Sequence, residues 1–204
     1  MRTARILIYL AVSVFLMTSC SPQAQKQDAP QDQPKKDQPT NGSGEKEKAA
    51  KEFVQSFYDW YVPKDLKRGD SSPSWDMAIS QKSAMFDADL LNYLNEEQKA
   101  EKKSKGDLED DSMDFDPFLN AQDMAEVYTA DKVTPKGDSY WVEVYGTWNG
   151  EKSPKPDVIP EVALKNGNWV FVNFHYLGSE SSPDTDLIAD LKGFQDERQK
   201  HGKK

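Results

Sequence analysis

Six carboxylates crowd residues 107–116: Asp107, Glu109, Asp110, Asp111, Asp114 and Asp116, with Asn120 and Asp123 just beyond. Oxygen ligands delivered by one loop are what a hard cation such as calcium requires. Asp114, Asp116, Asn120 and Asp123 are the candidate set. Their spacing is not that of an EF-hand, and no glycine stands where such a loop turns sharply. The plainer expectation is a solvated loop in which Asp116, ahead of Pro117, sets a turn and caps the residues after it. Phe115, Phe118 and Leu119 then plug the core. Asp114 with Asp116, or Asp116 with Asp123, is also the type of pair that does general acid–base work, provided the fold drives the two pKa values apart.

The rest of the chemical inventory is short. The chain has 204 residues, two histidines and one cysteine. His201 lies in a basic tail, and His175 sits on a strand pattern with Asn173 two residues before it. A single cysteine excludes an internal disulfide, and the lack of further sulfur and imidazole ligands makes a zinc site improbable. Serines show no nucleophile elbow, and glycines show no phosphate-loop spacing. No cofactor is expected, calcium being the one for which candidate ligands are present. Aromatic residues exceed what a minimal core needs, and tyrosine and tryptophan with a polar tip suit a pocket or an interface. Trp141, Glu143, Tyr145, Asn173 and His175 are the expected ligand- or partner-binding set.

Cys20 carries its own chemistry. Arg2 and Arg5 precede an apolar run over residues 6–17, and Met17-Thr18-Ser19-Cys20 closes it with small residues. Basic start, short apolar run and small-residue end make a secretory signal over residues 1–19. About a dozen apolar residues fall short of the ~20 that span a bilayer. The tetrapeptide resembles the lipobox of bacterial lipoproteins, which implies that the Cys20 thiol takes a diacylglyceryl group by thioether and, after cleavage, an amide-linked chain such as palmitate. Two or more acyl chains make anchoring stable. Ser21 at the next position implies the periplasmic face of an outer membrane.

Residues 20–46 hold no aromatic or branched aliphatic side chain and cannot bury enough surface to order themselves. They read as a disordered linker with a reach of roughly 30 Å. Residues 47–196 have the length of one domain, and residues 197–204 form a frayed basic tail. The domain is acidic, in a chain with 35 acids against 26 Lys and Arg and a net charge of −9. Basic patches with interleaved aromatics are missing, which excludes nucleic acid as a partner.

A helix is expected over residues 46–61, where Phe53, Phe57, Trp60 and Tyr61 recur at helical spacing and Pro63 stops the run. A second helical region carries Ile79, Met85, Phe86, Leu90, Leu91 and Leu94 and ends at Gly106. Beyond it the period becomes two. Strands are expected over residues 125–133, 140–148, 158–165 and 168–176, with a hairpin at Asn166-Gly167. Aromatics on both faces of residues 140–148 predict a central strand covered on both sides. Asp184 is expected to cap a last helix through Leu187, Ile188, Leu191 and Phe194. The result is α+β: N-terminal helices on a curved antiparallel sheet of about four strands, with a C-terminal helix.

Two segments carry a resemblance. Phe57-Tyr58-Asp59-Trp60-Tyr61, and Asp114-Phe115-Asp116-Pro117-Phe118-Leu119-Asn120-Ala121-Gln122-Asp123, resemble the two signatures of a bacterial domain-of-unknown-function family, numbered 3828. The resemblance covers residues 53–176. It implies a fold similar to the nuclear-transport-factor-like cone and an envelope lipoprotein location, and no catalytic residues, since the family has no established activity. The resulting expectation is a non-enzymatic binding or accessory module of the cell envelope, with an envelope protein or a small ligand as partner. Two other readings stand beside it: a hydrolase or calcium-dependent enzyme using the loop 107–123, and an immunity-type inhibitor that covers a toxin's basic active site.

Overall fold

The computed structural model describes residues 41–67, 74–104, 113–179 and 183–201. These lie in the compact unit Pro39–Lys204. The signal segment, Cys20, the linker up to residue 40 and the acids at 107–111 lie outside the described residues. No described helix is long and apolar enough to cross a membrane.

The expected class is found. Four helices, α1 (Asn41–Asp65), α2 (Ser74–Gln81), α3 (Ala88–Ser104) and α4 (Leu187–His201), accompany an antiparallel sheet. Four long strands, β1 (Val127–Lys136), β2 (Ser139–Trp148), β4 (Ile159–Lys165) and β5 (Asn168–Tyr176), make its body. Two-residue strands, β3 (Glu151–Lys152) on β2 and β6 (Thr185–Asp186) on β5, complete the order β1-β2-β4-β5-β6. Asn166 and Gly167 both take positive φ at the β4–β5 turn, as an Asn-Gly hairpin requires.

Helix α1 starts at Asn41, so six residues assigned to the linker are helical. It also runs past Pro63 to Asp65. Proline there removes one hydrogen bond of the last turn, while Tyr61 and Val62 stay buried in the core and Leu66 N–H bonds Val62 O at 3.0 Å. The second helical region is broken: α2 and α3 are separated by a 3-10 turn, Ser83–Met85, after which Asp87 N–H reaches across to Phe171 O at 2.8 Å.

Aromatic rings fill the space between helices and sheet. Phe57 of α1 lies 5.0 Å from Phe171, 5.5 Å from Phe118 and 6.0 Å from Phe86 between ring centroids. Each such side chain contributes roughly 1.5–3 kcal/mol by leaving water. Residues 113–121 thread into this core. Phe118 and Leu119 are fully buried, as expected, and Phe115 packs edge-on against Tyr176. Tyrosine hydroxyls hold the segment, with Tyr58 donating to Phe118 O at 2.8 Å and Tyr176 to Pro117 O at 2.9 Å.

Strand β1 forms one edge of the sheet, and Gln55 of α1 closes part of that edge. Its amide oxygen accepts from Ala130 N–H at 2.7 Å and its amide nitrogen donates to Tyr128 O at 3.1 Å. A side chain thus makes the two bonds a further strand would make. Pro135 is tolerated in β1 because an edge strand can spare a donor. A register shift between Ala130 and Val133 bulges the strand beside this contact.

Candidate functional site

Two networks of polar and aromatic side chains occupy the sheet face turned away from the helices. Inward-pointing Val142 and Val144 of β2 are fully buried, whereas Trp141, Glu143 and Tyr145 between them are partly exposed. The strand is central, between β1 and β4, but its outer aromatics are screened by neighbouring side chains rather than buried as its inner valines are. Strand alternation places these residues on one face, but it does not distinguish a covering layer from side-chain screening.

The first network centres on Glu161. His175 Nε2 lies 2.8 Å from Glu161 Oε2, and Ser139 donates to Oε1 at 2.5 Å. Trp141, paired with Glu161 across the strands, adds a small pull toward the ionised carboxylate. The register explains the gathering, since Glu161 pairs with Trp141 on β2 and with Asn173 on β5. The imidazole of His175 stacks on Trp141 at 4.0 Å between centroids, and Lys136 Nζ lies 4.6 Å from the same indole. Hydrogen bonding from His175 outweighs partial burial and holds the Glu161 carboxyl below its ordinary range.

This triplet of Ser139, Glu161 and His175 has the wrong order for nucleophilic catalysis. A hydroxyl is activated when an imidazole takes its proton and a carboxylate steadies the imidazole. Here the carboxylate stands between hydroxyl and imidazole. The arrangement fixes the orientation of a ring; it does not prime a nucleophile.

The second network centres on Glu143. It pairs with Lys132 at 3.0 Å and accepts from Tyr145 OH at 2.8 Å. That bond raises the Tyr145 phenol to about 12. Lys152 Nζ sits 3.9 Å from the Tyr145 ring centroid and pairs with Asp131 at 2.7 Å. Four of the five expected binding residues therefore share one face. The fifth, Asn173, serves the fold: its side-chain Oδ1 accepts from Phe174 N–H at 2.9 Å and from Ile188 N–H at 3.2 Å, at the start of α4. Asp186 Oδ1 accepts from Ala189 N–H at 3.0 Å, so the helix is capped by Asp186 and Asn173 and not by Asp184, which accepts from Gly178 N–H instead.

The acidic set is arranged differently. Asp116 is committed to the fold: Oδ2 accepts from Tyr61 OH at 2.5 Å and Ser74 OH at 2.7 Å, and Oδ1 from Phe118 N–H at 2.8 Å. Burial pushes this carboxyl up to about 6 against the pull of those donors. Asp114 accepts from the Gln122 amide at 3.1 Å, Asn120 donates to Asp157 O at 3.0 Å, and Asp114, Asn120 and Asp123 are all exposed. Asn120 takes positive φ in the turn whose Asp116 O accepts its N–H at 2.8 Å. Among the described residues no three His, Cys, Asp or Glu side chains gather in a way that could hold a metal ion.

Sequence reading missed Glu161, Ser139 and Lys136, which complete the Trp141 cluster. It also missed a groove of about 660 Å³ where the β4–β5 turn faces the start of α3. Phe53, Phe86 and Trp169 line it, and an Asp87–Lys165 pair at 2.7 Å closes its rim. They come from α1, the link before α3, β4 and β5, so only the folded arrangement brings them together.

Fold and site define an α+β domain with a polar-aromatic sheet face. No protein-family model matches the chain, and no curated protein matches it. Among solved structures it is similar to a protein of unknown function from Bacteroides thetaiotaomicron VPI-5482, at 18% identity and a TM-score of 0.46, over 65% of this chain and 93% of that one.

Proposed function

We propose that this chain is a non-enzymatic binding module of a bacterial cell envelope, held to the membrane by lipid at Cys20 and docking an envelope protein through the sheet face around Trp141. The observation that carries the docking surface is the stack of His175 on Trp141, partly exposed and fixed from beneath by Glu161. Ring and imidazole are held before any partner arrives, which lowers the entropic cost of association. Tyr145 and the paired charges around it supply the polar surroundings that interface centres have. The Cys20 lipobox, the linker behind it and the likeness of residues 114–123 to an envelope lipoprotein family support the location.

A photo-crosslinking residue at Thr147, beside Tyr145 on the outer face, tests this in native membranes. The expected result is a discrete crosslinked envelope protein that disappears with Trp141→Ala while the far-ultraviolet circular dichroism stays unchanged. No adduct, or an adduct indifferent to Trp141→Ala, rejects the surface.

A further inference from the structure

Strand β5 is covered in pieces along the edge it turns away from β4. Strand β6 pairs with His175 and Tyr176, and Asp87 N–H bonds Phe171 O at 2.8 Å. Trp169 comes next, and its backbone points the same way, because residues two apart on a strand direct their N–H and C=O to one side. The hairpin register agrees. Lys165 and Asn168 flank the two-residue Asn166-Gly167 turn as its hydrogen-bonded pair, so Leu164 and Trp169 behind them form an outward-facing pair. Among the described residues no backbone group from outside the hairpin bonds Trp169. One donor and one acceptor thus open onto the groove of about 660 Å³.

The walls of that groove are aromatic and its rim is charged. Trp169 is held by an edge contact with Tyr140, at 5.5 Å between centroids, and its cross-strand partner Leu164 is 46% exposed beside it. Phe53 and Phe86 are anchored by Phe171, at 4.9 and 5.6 Å between centroids. At the rim, Asp87 Oδ1 and Lys165 Nζ lie 2.7 Å apart, which sets an acceptor beside a donor. Volume and lining are those of a small-molecule site: preformed, largely apolar, with a few converging polar groups.

We propose that this groove binds an N-acetylated sugar. The acetamido group of such a molecule carries one N–H and one C=O, which complete the open edge at Trp169 as a further strand would. Its methyl enters the apolar space by Phe53 and Phe86, and the C–H face of the pyranose covers the Trp169 indole. Neighbouring hydroxyls, each both donor and acceptor, bridge the Asp87 carboxylate and the Lys165 ammonium through charge-assisted bonds. A sugar without the acetamido group leaves the Trp169 backbone groups unpaired. A peptide supplies the amide but not the hydroxyls. Trp169 packs toward the helices while Trp141 faces away from them, so the two surfaces stand or fall separately.

Titration of the full chain carrying Cys20→Ala, followed by proton–nitrogen correlation NMR, compares tri-N-acetylchitotriose with cellotriose, the same glucan backbone without acetamido groups. The acetylated trisaccharide is expected to move the Trp169 backbone amide and indole signals saturably, and to bind on the order of tenfold more tightly than cellotriose. Ala88→Phe, at an exposed position on the groove's lip, should abolish that binding while the circular dichroism stays unchanged. The proposal is overturned if neither saccharide binds, if the shifts map away from Trp169, if cellotriose binds as well, or if Ala88→Phe leaves the affinity unchanged. A blocked dialanine peptide that binds more tightly than the acetylated trisaccharide would also overturn it, and would assign the groove to an extended chain.

Discussion

Asp116 shows how a residue with catalytic credentials can serve the fold instead. Its carboxyl is raised, as a general acid's would be, yet Tyr61, Ser74 and the Phe118 amide occupy its oxygens. Those bonds pin residues 113–121 to α1 and α2. Asp116→Ala leaves the buried Tyr61 hydroxyl and Phe118 amide without this acceptor and should cost about 3 kcal/mol, at 1–3 kcal/mol for each unsatisfied buried group, read by urea denaturation at pH 5. Asp116→Asn tests the ionisation separately. The folded carboxyl titrates near 6 against an ordinary 3.8, so its proton contributes stability in full below 3.8 that is lost as pH rises through 6. The variant should flatten the fall in stability between pH 4 and pH 6 relative to the parent. An identical slope in both proteins would show that Asp116 does not carry this proton.

Among the elements, β1 depends most on a single contact. Gln55 supplies the two bonds that keep Tyr128 O and Ala130 N–H from facing outward unpaired. Gln55→Ala should lower stability by about 1–2 kcal/mol and speed exchange of the Ala130 amide, measured by hydrogen-exchange NMR; unchanged protection at Ala130 would contradict the role. Strand and helix types were legible because burial follows periods of two and 3.6, and the Asn166-Gly167 turn announced its own hairpin. Pro63 did not end α1, and β1 runs through Pro135 past the expected end at 133, since each proline sits where a missing donor is harmless: the last helical turn and a sheet edge. The tail from residue 197 looked frayed because its anchor, Glu97, lies a hundred residues away in α3. Glu161 escaped notice for the same reason. Its partners His175 and Ser139 become neighbours only through the β2–β4–β5 register, which local sequence does not encode.

For the molecule as a whole, the proposed membrane attachment has the simplest test. Cys20→Ala should move the protein from the membrane pellet to the soluble fraction, or leave it as an unprocessed precursor, seen as a mobility shift on a gel. Processed protein that still sediments with membranes would refute the anchor and with it the location. The start of α1 at Asn41 gives such an anchor a mechanical meaning. A tug on the lipid would travel along the linker and enter the domain at the first turn of the helix that carries Ala50, Val54, Phe57, Tyr58 and Tyr61 into the core. Peeling that helix would strip Gln55 from β1 and expose the sheet's edge, so the leash pulls on the element whose loss would do the most damage.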